Sequence, residues 1–163
     1  MKTLHRILAF SALAFPLALG GCTGQEKAPL VAMSIHLQSS DMMPARLTRP
    51  VQLAKPPLMI YVKSTSELTE RMLTRAEIDN SVGGPYVRFV FGDHGRVVLR
   101  SLTTEYRNRY LVFFINGQAV GAHYITSTIY DGTITMFADL PEEDVKKIVA
   151  GLQPAHLEKI RAK

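Results

Sequence analysis

YLVFFINGQAVGAHYI, residues 110–125, decides how the rest of the chain is read. Tyr110 to Ile115 is an unbroken apolar and aromatic run of strand length, the pattern of a strand buried on both faces. Asn116-Gly117 follows, the dipeptide that suits a two-residue type I′ turn, because both central positions of that turn need a positive φ. Gln118 to Ile125 then returns. These residues predict an antiparallel hairpin.

Upstream of the hairpin, Tyr86 to Phe91 (YVRFVF) alternates, with Val87, Phe89 and Phe91 on one face of a strand and Arg88 on the other. Gly92-Asp93-His94-Gly95 reads as a turn. Val98, Leu99 and Leu102 follow at helical spacing, which leaves Arg96 and Arg100 on the wet face. Downstream, Thr133 to Phe137 reads as a strand, and Asp139-Leu140-Pro141-Glu142 carries the cap, proline and acidic first turn of a helix start. Val145, Ile148, Val149 and Leu152 then fall at i, i+3, i+4 and i+7, with Gly151 near the end and Pro154 beyond it.

Farther upstream, Val31 to Leu37 and Leu58 to Val62 read as strands. Ser39 to Pro57 holds Pro44, Pro50, Pro56 and Pro57 and reads as a long loop or extended connection. Thr74-Arg75-Ala76-Glu77 has capping-box spacing, which predicts a short helix from about Arg75, closed by Gly83-Gly84-Pro85. Strands interleaved with helices, together with one antiparallel hairpin, predict an α+β fold: an antiparallel or mixed sheet with helices packed on one face.

The N-terminus reads as an address. Lys2 and Arg6 precede a 13-residue apolar stretch, residues 7–19, too short to cross a hydrocarbon core of about 30 Å as a helix. It ends in Leu19-Gly20-Gly21-Cys22, which resembles a bacterial lipobox. Cleavage between Gly21 and Cys22 and lipidation of Cys22, with palmitate among the acyl chains, are expected. Cys22 is the only cysteine in the chain, so it has no partner for an intramolecular disulfide. The expected organisation is a signal peptide over 1–21, the lipidated Cys and a polar tether over 22–30, an α+β domain over 31–153 and a short polar tail over 154–163. The address implies a lipid-anchored envelope protein, periplasmic or on the outer face of a bacterial membrane.

Of 163 residues, 47% are hydrophobic and 20% charged, a globular composition. Loss of residues 1–21 removes Lys2 and Arg6 and no acid, so the formal charge of +5 falls to +3. So modest an excess makes no case for nucleic acid.

Catalytic chemistry has little to stand on. His36, His94, His123 and His156 are scattered without metal-ligand spacing, so no metal or other cofactor is expected. No G-x-S-x-G occurs, and Gly92 to Gly95 lacks the Lys-Ser/Thr of a phosphate loop, so the chain reads as non-enzymatic. The one charge concentration is arginine: Arg88, Arg96, Arg100, Arg107 and Arg109, diluted by Asp93 and Glu105. Its ordinary role is a solvated face. Its functional alternative is a patch for acidic headgroups or acidic peptide segments, with Arg96, Arg100, Arg107 and Arg109 as the candidate partner-binding residues.

Leu73 to Leu152 resembles the head of the large extracytoplasmic domain of SecD, the accessory subunit of the protein-export translocase. The features that carry the resemblance run in order: Leu73-Thr74, the Val87 to Phe91 strand, Gly95, Leu102-Thr103, YLVFFI, and Asn116-Gly117 at the family's Asp-Gly turn. Val120, Ile125, Gly132, Ile134, Phe137 and the Glu142 to Leu152 helix complete the series. Val31 to Val62 looks like the family's preceding strands. His123 departs from the pattern, standing where a proline is usual, as does Met136 near a common glycine. SecD also carries transmembrane helices with ionisable residues for proton coupling, and this sequence has no such segment.

The resemblance therefore implies the fold and, by analogy, contact with exported or unfolded polypeptide or with translocase components. The alternative is an envelope interaction or structural lipoprotein that reuses the fold for an unrelated partner. An edge left by Val31 to Leu37 or by Thr133 to Phe137 is the expected place for another chain to pair.

Overall fold

The computed structural model describes residues 31–40, 42–53, 57–79, 86–138, 140–153 and 157. The expectations for the signal peptide, Gly21, Cys22, the tether, the Gly83-Gly84-Pro85 stop, Asp139, Pro154 and the 158–163 tail lie outside the described residues. The elements run β1 (Met33–Leu37), β2 (Thr48–Leu53), β3 (Leu58–Lys63), β4 (Leu68–Thr69), β5 (Leu73–Asp79) and β6 (Tyr86–Phe91). Then come α1 (Asp93–Glu105), β7 (Tyr110–Ile115), β8 (Gln118–Tyr124), β9 (Thr133–Phe137) and α2 (Glu142–Gly151).

The hairpin forms as its residues predict. Tyr110 pairs with Tyr124 and Ile115 with Gln118, and the turn residues Asn116 and Gly117 have φ of 50° and 84°. β7 is the backbone of a four-stranded antiparallel sheet in the order β4-β1-β7-β8. Its alternate residues serve two cores. Leu111, Phe113 and Ile115, with Met33, Ile35 and Leu37 of β1, face the main core, which α1 enters through Leu99 and Leu102 and α2 through Val145 and Val149. Val112 and Phe114 face the other way, against Val51, Leu53, Ile60 and Val62 of the two-stranded β2–β3 layer. One face of this sheet therefore meets the main core, which the helices share with a third sheet, and the other face meets a β-ribbon, which is why the YLVFFI run is apolar throughout.

A third sheet, β5-β6-β9, closes the main core with Ala76, Val87, Phe89, Phe91, Ile134 and Met136. β9 lies beside β8, where His123 Nδ1 donates to the Thr135 carbonyl at 3.0 Å. The architecture is α+β, as expected. Among the described residues, no helix is long and apolar enough to cross a membrane.

Four local expectations are corrected. Residues from Arg75 form strand β5 and not a helix: Ala76 pairs with Phe89 and Glu77 with Arg88, and Thr74 Oγ1 donates to the Val90 carbonyl at 2.9 Å instead of capping. A neighbouring strand distant in sequence outweighs a weak local signal. The Ser39 to Pro57 segment contains β2, in which Val51 and Leu53 alternate into the core. Pro50 is tolerated because it sits opposite Tyr61 on an outer strand, with its nitrogen turned away from β3.

Gly92 to Gly95 opens α1 and is not a separate turn: Gly92 is its extended N-cap residue and Asp93 lies in its first turn. A Cβ at Gly95 would come within 3.0 Å of both Phe91 and Met72, so glycine lets the helix start seat directly on β6. Finally, Val31 to Leu37 leaves no open edge, because β1 is flanked by β4 and β7.

Candidate functional site

The open surface gathers at the end of the four-stranded sheet where β1 stops and β7 begins. Gln38 ties the two strands together. Its N–H donates to the Tyr110 carbonyl at 2.8 Å, and its side-chain oxygen accepts from the Tyr110 N–H at 3.0 Å. The chain then swings against β3, where Ser39 N donates to the Tyr61 carbonyl at 2.7 Å. That bond fixes which way β3 turns its backbone: the Tyr61 carbonyl points away from β2, and so do the polar groups of Met59 two residues earlier. No described strand pairs with that side of Met59, so among the described residues β3 leaves a short open edge.

Two adjoining cavities, of about 550 Å³ and 460 Å³, lie along this edge and share Gln38, Ser39 and Ser40. Met43, Met59 and Tyr61 line the first; Met42, Asn108 and Arg109 line the second. Met59 and Tyr61 are 55% and 57% exposed and Met42 is 90% exposed, so the groove presents a run of large apolar side chains to water. Thioethers of this kind adapt to varied partners.

The candidate arginines divide between two places. Arg96, Arg100 and Arg107 all meet the segment that runs back along α1. The Arg96 stem lies on Gly132, the Arg100 guanidinium is 6.0 Å from the Tyr130 ring centroid, and Arg107 Nη2 reaches Thr128 Oγ1 at 3.4 Å. That segment is fastened where Ile129 N donates to Thr103 Oγ1 at 2.9 Å. Arg96 is also paired with Asp93 at 2.8 Å. Arg109 stands apart, with its guanidinium 5.7 Å from the Tyr106 ring and 3.5 Å from the Gln38 carbonyl, at the rim of the groove. Arg88 is occupied by Glu77 and Asp79 on β5.

The histidines are equally dispersed. His94 is exposed on α1, His123 is at the β8–β9 junction, His36 is buried beneath β2–β3, and His156 lies outside the described residues. Among the described residues no cluster of His, Cys, Asp and Glu could hold a metal ion.

Met42, Met43, Met59 and Tyr61 were not marked by the sequence as a site. A signal existed: Met59 and Tyr61 alternate with the buried Ile60 and Val62, so a half-buried strand had to show two large apolar side chains to water.

No family model and no curated protein matches the chain. Solved structures do. The chain is similar to a crystal structure of SecDF in a super-membrane-facing form, with 16% identity, a TM-score of 0.59, and 78% of this chain and 19% of that chain covered. It is also similar to a structure of SecDF described as a membrane component that enhances protein export, with 15% identity, a TM-score of 0.58, and 78% and 64% covered. The chain thus spans less than two-thirds of either SecDF chain. At such identities the likeness speaks to architecture. The chain has the α+β fold found in SecDF.

Proposed function

We propose that this chain is a non-catalytic, lipid-anchored extracytoplasmic domain that binds exported or unfolded polypeptide in extended form and thereby assists protein export. The observation that carries the reading is the open edge of β3 at Met59, set in a groove lined by Met43, Met59 and Tyr61. Pairing to a strand edge uses main-chain groups that every polypeptide has, so it tolerates many sequences. The methionine lining adds adaptable apolar contact. Arg109 at the rim favours acidic segments and makes binding weaken with salt.

Two further lines support this reading. The fold is shared with SecDF, one structure of which is described as enhancing protein export. Residues 1–22 carry the basic start, short apolar stretch and Cys22 of a lipidated exported protein. The test is titration of an unfolded exported protein into the soluble domain beginning after Cys22, followed by backbone amide shifts at low and physiological salt. Shifts centred on Met42, Met43, Met59, Tyr61 and Arg109, larger at low salt, are expected. No shifts at near-millimolar ligand would reject polypeptide binding and favour a dedicated envelope partner.

A further inference from the structure

One titratable side chain is enclosed between the four-stranded sheet and the β2–β3 layer. His36 of β1 is only 5% exposed. Its Nδ1 is 2.9 Å from the Lys63 carbonyl, and a carbonyl can only accept, so Nδ1 carries the proton and donates. Nε2 is thereby left as an acceptor. Arg49 Nη2 donates to it at 3.1 Å and Ser34 Oγ at 3.0 Å. The same guanidinium lies 3.8 Å from the centre of the Phe114 ring, whose edge relation to the His36 ring, at 4.9 Å between centroids, completes the cluster. Arg49 Nε is buried and has no hydrogen-bond partner among the described residues. The bond to His36 and the ring contact therefore tie the Arg49 head to the sheet beneath.

We infer that His36 is a proton-operated latch: a solvent proton taken up at Nε2 turns the acceptor that Arg49 requires into a donor. The two cations then face each other at contact distance, and the β2–β3 layer loosens from the four-stranded sheet. Every neighbour has a definite sign. From β2, Arg49 opposes the charge. From β3, Lys63 contributes its carbonyl, while its ammonium is held 2.8 Å from Glu67. Glu67 and the backbone at Lys63 and Thr65 favour protonation, and β7 presents its cross-strand partner Val112 and the Phe114 ring, neither of which carries a charge. Burial, the largest influence, combines with Arg49 to outweigh them and holds the imidazole below its ordinary range. Neutral conditions therefore keep the latch shut and acid opens it. The latch stands independently of the proposed function; only its consequence, an acid-sensitive groove, rests on that reading, because β3 forms the groove's open edge.

The test is hydrogen–deuterium exchange of the full chain at about pH 7.5 and about pH 5, corrected for intrinsic exchange rates and with no polypeptide added. Residues 48–53 and 58–63 should lose protection by about tenfold more than residues 98–105 of α1, because the ribbon depends on neutral His36 and that helix does not. Arg49→Met, which keeps an apolar stem over Phe114 but removes the opposing charge, should shrink this excess to about twofold or less. In the same variant the His36 titration followed by NMR should move upward. Uniform loss of protection across the domain, or no loss in the ribbon, would overturn the latch. So would an unchanged ribbon-specific loss or an unmoved His36 titration in Arg49→Met. Should that variant fail to fold, His36→Gln serves instead: a ribbon as acid-sensitive as the wild type's would overturn the proposal, and an acid-insensitive one would support it.

Discussion

Phe89 of β6 and Phe113 of β7 stack across the main core, with ring centroids 5.2 Å apart and planes 22° from parallel. Both are fully buried, and they join the three-stranded sheet to the hairpin sheet. Phe113→Ala removes one ring of this stack and should destabilise the domain by about 3 to 5 kcal/mol. The check is the denaturant midpoint at unchanged m-value. A loss below about 1 kcal/mol would mean that the sheets are held together elsewhere.

A tighter constraint lies at Gly121 of β8. A Cβ there would stand 2.4 Å from the Phe137 carbonyl oxygen and 2.7 Å from Met136 Sδ. Backbone cannot yield as a flexible side chain does, so Gly121→Ala should force β8 and β9 apart at a cost of about 1 to 3 kcal/mol. Thermal unfolding reads this directly, and a melting temperature equal to wild type would contradict the close approach.

The closing helix gives an internal comparison. Leu152 and Val145 are fully buried, whereas Ile148 is half-buried on the flank of the same stripe. Leu152→Ala should therefore cost about 2 to 5 kcal/mol and Ile148→Ala distinctly less. Equal losses in denaturant unfolding would place the helix on the wrong face.

Acid should weaken the fold through two histidines. Burial holds both His36 and His123 below the ordinary histidine range, so the folded state prefers them neutral. The unfolded chain binds these protons first, near its ordinary value of about 6.5. Stability is thus fully present above that value and falls as pH drops through it toward the folded-state values. The denaturant midpoint should be lower at about pH 5.5 than at about pH 7.5, and His123→Asn should flatten part of the slope. A midpoint independent of pH would contradict the buried neutral assignment.

What could be read from the sequence was what local chemistry decides. Asn116-Gly117 names its own turn, YLVFFI its own burial, and Val145 to Leu152 its own helix face, since each signal lies within a few residues. β5 was hidden because Ala76 and Leu73 become strand residues only when β6 pairs with them, more than ten positions on. The groove was hidden for a similar reason. Met59 and Tyr61 become part of a site only once Gln38 and Ser39 fold against β3. The arginine cluster looked single in sequence, but the loop along α1 takes three of its members and the groove only Arg109.

The most direct test of polypeptide capture at the β3 edge is the affinity of Met59→Pro for an unfolded exported protein. Met59 lies opposite Gln52 with its N–H turned toward the groove, so proline removes that donor without taking a hydrogen bond from the β2–β3 ladder. Binding that falls by about tenfold or more, while Met59→Leu binds nearly as wild type, is the result predicted. Met59→Pro that keeps its fold and binds with wild-type affinity would contradict the account.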